Sequence, residues 1–294
     1  MPFLVTSPGL TTSSKRRSIS PVTLAAVDTI LKNAPRRPRP SGAMVWQLSK
    51  MTAEGLAALE QALLPLANAH QVDIAIVERP YRWQDYKVLA MDMDSTVITI
   101  ECIDEIADYC GKKAEVSAIT EAAMRGEIKD YAESLRRRVA LLEGLPAEVL
   151  KDVIRYRLKF TPGVKSLVAS ARAHGLHTLL VSGGFIQFTD FVSEKIGFIQ
   201  TRSNQLEIID GRLTGRLIGE IVDASIKAKT VREACRRLGA NAAAAITVGD
   251  GANDLKMMDI SGLSIAHRAK PAVAAQAMQA IRSGGLDNVL DWFE

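Results

Sequence analysis

Cysteine is scarce. Cys102, Cys110 and Cys235 are the only three, and no C-x-x-C pair occurs, which excludes a disulfide framework and the common zinc and dithiol motifs. Histidine is equally sparse, four in 294 residues with no H-E-x-x-H, which argues against a zinc hydrolase. No stretch approaches the ~18 uninterrupted apolar residues of a membrane-spanning helix, so no membrane partner is expected. Hydrophobic residues make up 47% and charged residues 24%, which excludes wholesale disorder and fibrous classes. The expectation is a reduced, soluble, cytoplasmic protein.

The formal net charge of +4 is carried before Tyr86, where ten basic residues face six acidic ones; the remainder holds 27 of each. The excess lies in Lys15-Arg16-Arg17 and Arg36-Arg37-Pro38-Arg39, set among Ser, Thr and Pro. Such a context suits solvated loops. A nucleic-acid footprint would need a basic folded face with recognition elements beside it, so no nucleic-acid partner is expected. The acidic-poor, Ser/Arg-rich start has the composition of a transit peptide, yet Val22–Leu31 reads as an ordinary helix.

Two regions follow from periodicity. In the first, about residues 1–85, Phe3–Thr6, Met44–Leu48 and Val72–Val77 read as strands, and Val22–Lys32 and Ala53–Ala69 as helices. This is a small α+β module, with Thr12–Ser20 and the Pro-rich Ala34–Ser41 as loops and Glu78–Asp85 as linker. From residue 86 to 294 the pattern changes. Val88–Met91, Thr178–Val181 and Ala244–Val248 are short apolar runs that stop abruptly at small polar residues, as strands of a parallel sheet buried on both faces do. Helical patterns at Gly163–His174 and Lys227–Leu238 lie between them. The fold expected is α/β, a doubly wound parallel sheet with ligands bound beyond the carboxyl ends of its strands. Four helical patterns between Ile103 and Tyr156 form an insertion after the first strand, about residues 100–160, placed to cap the crevice.

Three polar clusters fall at those strand ends. Asp92-Met93-Asp94 sets two carboxylates two residues apart, able to share one site as attacking group and proton carrier; such a pair alone also serves as a helix cap. Ser182-Gly183-Gly184 offers a hydroxyl and backbone N–H groups that can approach an anion, or is simply a tight turn. Gly249-Asp250-Gly251-Ala252-Asn253-Asp254 supplies oxygen ligands that suit Mg²⁺, and lacks the pattern of an EF-hand. Lys229, on a helix, is an ordinary surface residue unless these clusters convene around it.

In that order the clusters resemble the haloacid dehalogenase (HAD) superfamily of phosphohydrolases. Ile100–Ala107, Ser134–Val139, Val181–Phe185, Ile226–Lys229 and Gly249–Asp254 further resemble the phosphoserine phosphatase family, over roughly Lys87 to Leu290. The resemblance implies a HAD-like Rossmannoid core acting on O-phospho-L-serine. Asp92 would be the nucleophile and Asp94 the acid and base. Asp92, Asp94 through its main-chain carbonyl, and Asp250 would hold Mg²⁺, with Asp254 in support. Ser182, Gly183, Lys229 and Asn253 would hold the phosphoryl oxygens, and Glu101 and Arg138 the ammonium and carboxylate of the substrate. From the residues alone Arg136, Arg137 and Arg138 are equivalent candidates. Some relatives carry an ACT-like amino-acid-binding module ahead of the core; a homodimer through the N-terminal module is the partner expected beside the substrate. Two departures stand out: Tyr131 occupies a position where relatives usually have phenylalanine, and the spacing from Met124 to Tyr131 is one residue longer.

Overall fold

The computed structural model describes residues 2–10, 18–124, 128 and 130–294. The Lys15-Arg16-Arg17 run, most of the Thr12–Ser20 loop, and much of the segment joining Met124 to Tyr131 lie outside the described residues.

The first sheet comes from β1 (Phe3–Pro8), β2 (Arg36–Pro38), β3 (Met44–Gln47) and β4 (Val72–Val77), in the order β2-β3-β1-β4 and antiparallel throughout. With helices α1 (Pro21–Ile30) and α2 (Ala53–His70) the chain runs βαββαβ, the ferredoxin-like arrangement. Helix α1 starts where Ser20 accepts from the Thr23 N–H and Pro21 presets the first turn. Strand alternation splits the sheet's side chains. Leu4, Trp46, Val72 and Ile74 pack under the helices, while Phe3, Val5, Val45, Ala75 and Val77 join the core of the rest of the molecule. The expected loop at Ala34–Ser41 contains β2, a fourth strand that its three polar and proline residues conceal from any apolar-run criterion.

The second sheet has seven strands. It begins with β5 (Val88–Met91), which leads into the helical insertion of α3 (Cys102–Asp108), α4 (Lys113–Met124), α5 (Tyr131–Ala140) and α6 (Glu148–Tyr156). The chain continues through α7 (Val164–Ala173), β6 (His177–Phe185), α8 (Ile186–Ile196), β7 (Gln200–Ile209) and β8 (Arg212–Ile218). It then crosses back through α9 (Ala224–Arg237) to β9 (Ala245–Gly249), α10 (Leu255–Asp259), β10 (Leu263–His267), α11 (Pro271–Ala274) and β11 (Gln279–Ile281). The order is β11-β10-β9-β5-β6-β7-β8, parallel except for the β7–β8 hairpin.

Both faces are covered, as expected from the apolar strands. Val88 and Ala90 face α9 with Val231 and Ala234, while Leu89 and Met91 pack on the opposite side with Leu167 and Phe188. The chain leaves β5 for β6 on one side and returns to β9 on the other. This reversal opens a crevice at the carboxyl ends of β5, β6 and β9. No helix among the described residues is long and apolar enough to cross a membrane.

Candidate active site

The first cluster forms because β5 ends in a kink. Asp92 continues the ladder by donating its N–H to Val248 O (3.0 Å), and Asp94 keeps extended backbone angles (φ −63°, ψ 136°). Two extended residues at i and i+2 face the same way, so both carboxylates enter the crevice. Ser95 then turns left-handed (φ 54°), and its Oγ donates to Glu101 Oε1 at 2.6 Å, tying the turn to the start of α3.

The lysine of the site is Lys227. Its Nζ is fully buried, 2.7 Å from Asp92 Oδ1 and 2.8 Å from Asp254 Oδ1. Lys229, expected at this position, is exposed on the outer face of α9. Two residues along a helix rotate the side chain by about 200°, so only one of the pair can reach the crevice. The signal lay in the helical phase: Lys227 shares its stripe with Val231 and Ala234, four and seven residues on, both buried.

Asp254 supports the loop after β9. Its Oδ2 accepts the N–H groups of Asp250 and Gly251, each at 3.1 Å, and its Oδ1 takes Lys227. Both oxygens are thus occupied by donors. Asp250 Oδ1 accepts from Thr96 Oγ1 at 2.7 Å. Asp92 Oδ1 also accepts the Met93 N–H at 2.7 Å, which leaves Oδ2 as its unengaged oxygen. The carboxylates of Asp92, Asp250 and Asp254 lie within 4.8 Å of one another. Asn253 is half-buried on the following turn, with its Oδ1 folded over Gly251.

Ser182 and the glycines close the other wall. Ser182 Oγ accepts the Gly184 N–H at 2.8 Å, so its own proton is available to the crevice. Asn204, on β7, donates to Gly183 O (2.7 Å) and accepts from the Val222 N–H (2.8 Å). This clamp fixes the Gly183 peptide. Asn204 carries no sequence motif, because it acts by bridging segments remote along the chain, and Thr96, the last residue of the D-x-D-x-T run, reaches Asp250 only through the fold. A Cβ built on Gly184 would lie 2.8 Å from Asp94 Oδ2, which shows how closely the acid approaches the backbone there.

The electrostatics follow from one buried cation among several buried carboxylates. Burial, and next the Asp254 charge, push Asp92 up to about 7 against the pull of Lys227. Asp250 rises to about 8 from burial and the neighbouring Asp92. Asp94 is raised well above the usual carboxylate range by burial and then by Glu101. Burial alone would lower Lys227, but Asp254 and Asp92 more than reverse it and keep the ammonium charged. Such a surplus of carboxylates, with oxygens of Asp92 and Asp250 free of donors at one point, fits a hard divalent cation.

On the insertion, Arg136 and Arg137 are exposed and Arg137 pairs with Glu133. Arg138 is half-buried and close enough to Glu101 and Asp104 to oppose the burial that raises both.

Comparison with known proteins decides the lineage. The haloacid dehalogenase-like hydrolase family (HAD) matches residues 89–259. A phosphoserine phosphatase of Polaromonas sp. is 55% identical over 211 residues, covering 70% of this chain and 89% of its own. The chain belongs to the phosphoserine phosphatase family of HAD hydrolases. A HAD-family hydrolase of Salmonella enterica serovar Typhi superposes with a TM-score of 0.84 at 30% identity, covering 100% of this chain and 99% of its own. The similarity therefore includes the N-terminal sheet. A phospho-aspartyl intermediate analogue of a phosphoserine phosphatase superposes with a TM-score of 0.66 at 35% identity, covering 71% of this chain and 99% of its own. As a member of this family the protein is a phosphatase, with a HAD-like core and an added N-terminal antiparallel sheet.

Proposed function

We propose that this phosphatase hydrolyses O-phospho-L-serine to L-serine and phosphate through an aspartyl phosphate on Asp92, the last step of serine biosynthesis. The observation that carries the reading is that Glu101 and Arg138 stand near enough on the cap side of the crevice for their charges to interact. Their opposite charges match the ammonium and carboxylate of an amino acid whose phosphate end meets Ser182 and Gly183. Arg138 suits the carboxylate because its planar fork can bind both oxygens.

The chain's own residues supply the steps. Lys227 and the Met93 N–H hold Asp92 Oδ1, orienting Oδ2 for in-line attack on phosphorus. As the Asp92 O–P bond forms, the bond from phosphorus to the serine oxygen breaks, and that oxygen takes a proton from Asp94. Asp94 suits the role because burial keeps it protonated. Its carboxylate, held by the Cys102 N–H at 3.2 Å, then removes a proton from water. The water oxygen attacks phosphorus and frees Asp92. Ser182 Oγ, the Gly183 N–H and Lys227 would hold the phosphoryl oxygens, with Asn253 beside them. Asp92, Asp250 and the Asp94 carbonyl would hold Mg²⁺, which, when bound, would neutralise phosphoryl charge and let Asp92 stay ionised. Three free cysteines, two of them buried, suit a cytoplasmic setting.

The test is phosphate release from O-phospho-L-serine, with phosphocholine for comparison, by the unsubstituted enzyme, Asp92→Asn and Arg138→Ala. Metal-dependent release that Asp92→Asn abolishes is expected, with a 10- to 100-fold loss of kcat/KM for phosphoserine in Arg138→Ala, about 1.4–2.8 kcal/mol of lost binding. Equal turnover of phosphocholine, or indifference to Arg138→Ala, would leave a phosphatase of another substrate.

A further inference from the structure

The cap reaches the phosphate cradle at one point. A Cβ built on Gly183 would lie 2.2 Å from Tyr131 Oη, so the phenol of α5 rests directly over the glycine that lines the crevice. That hydroxyl makes no hydrogen bond to any described residue. The Gly183 carbonyl beneath it is already taken by Asn204 Nδ2 at 2.7 Å. Around the ring stand Lys227, Arg138, Asp92 and Asp94, the groups that line the reacting end of the pocket. A tyrosine presents an apolar ring and a polar tip, and the tip takes a polar partner where one comes within reach. The hydroxyl sits over Gly183, where an oxygen of a ligand entering the crevice would meet it.

We propose that Tyr131 Oη donates a hydrogen bond to an oxygen of the bound phosphoryl group, making the cap a direct phosphate ligand as well as a cover. The inference rests on the phosphatase reading of this site. It does not depend on serine being the alcohol. The same contact ties cap position to the presence of phosphate: with phosphate bound, α5 is held against β6 through the ligand, and its departure releases that tie. Burial raises the phenol, so it remains protonated and able to donate.

The probe is inorganic phosphate, titrated calorimetrically into the full-length protein with Mg²⁺ present. Tyr131→Phe removes only the hydroxyl, and Tyr131→Leu removes the ring as well. The expected result is about tenfold weaker phosphate binding in Tyr131→Phe, the scale of one hydrogen bond to a charged group, and a similar loss in Tyr131→Leu. Binding of L-serine should be unchanged in Tyr131→Phe, and thermal melting reports whether each variant is folded. Wild-type phosphate affinity in a folded Tyr131→Phe would overturn the proposal and leave Tyr131 as apolar wall, as would a loss seen only in Tyr131→Leu. Failure of the substrate assignment would appear separately, as poor discrimination between phosphoserine and phosphocholine with the phosphate titrations unaltered.

Discussion

Lys227 and His267 show how much one side chain can depend on its surroundings. Lys227 bridges two buried carboxylates, and removing one member of such a group leaves the others charged and unpaired, at a cost of about 3–5 kcal/mol. Lys227→Met should therefore lose both phosphate release and several kcal/mol in urea denaturation, whereas Lys229→Ala should stay within twofold in activity. The reverse outcome would return the role to Lys229. His267 ends β10 with both ring nitrogens buried, and among the described residues only the Ser95 backbone approaches the ring, short of full hydrogen-bond geometry. Burial, and next Arg268, press it down to about 3 from 6.5, with the Ser95 backbone acting the other way. A histidine kept neutral when folded, yet free to protonate when unfolded, contributes stability above the unfolded value. That stability drains away as pH falls from about 6.5 toward 3. Denaturation midpoints taken between about pH 7.5 and 5 should show the wild type losing up to ~1.4 kcal/mol per pH unit more than His267→Phe. Parallel profiles would show that His267 does not titrate on unfolding.

Among the elements, the β7–β8 hairpin has a role that its sequence does not announce. Backbone bonds join it to the insertion: the Gly144 N–H to Leu213 O (2.8 Å), the Leu213 N–H to Leu145 O (2.9 Å) and the Ala147 N–H to Gly211 O (2.8 Å). Gly215 lies against α5, its φ of +75° closed to most side chains, and a Cβ there would sit 3.2 Å from the Ala140 Cα. Gly215→Ala is expected to destabilise by about 1–2 kcal/mol through that left-handed angle. By displacing α5, which carries Arg138, it should also raise KM for phosphoserine more than it lowers kcat. An unchanged KM in steady-state kinetics would mean that the hairpin does not set cap position. The four helices of the insertion were readable from apolar spacing, since each buries one stripe: Ile103, Ile106 and Ala107 in α3, Leu150 and Val153 in α6. The hairpin was not, because its exposed and polar positions interrupt any apolar run and its partners lie some seventy residues away.

At the scale of the molecule the two sheets share a core. Phe3, Val5 and Val77 pack in one cluster with Trp83, Trp292 and Phe293, and Trp83 stacks on Phe293 with ring centroids 4.0 Å apart. A buried carboxylate fastens this junction. Asp73 on β4 accepts the N–H groups of Arg282, Ser283 and Gly284 at 2.7–2.8 Å and the Asn288 amide at 2.9 Å. Asp73→Ala would leave those donors without their acceptor, and a loss of about 3 kcal/mol or more is expected in denaturant melts. A loss below about 1 kcal/mol would show that the apolar contacts alone hold the sheets together. With both faces of the first sheet covered, we propose that any dimer through the N-terminal module uses its exposed edge strand β2. The sequence by itself determined the alternation of strands and helices, the inserted cap and the three polar strand ends, because each is written in local periodicity and in the residues that stop a strand. Only the tertiary structure decided that Lys227 rather than Lys229 enters the crevice, that Arg138 faces inward, and that Thr96, Asn204 and Asp73 hold the loops. A side chain's partners across the fold depend on helix phase and sheet order, and neither is a property of its neighbours in sequence.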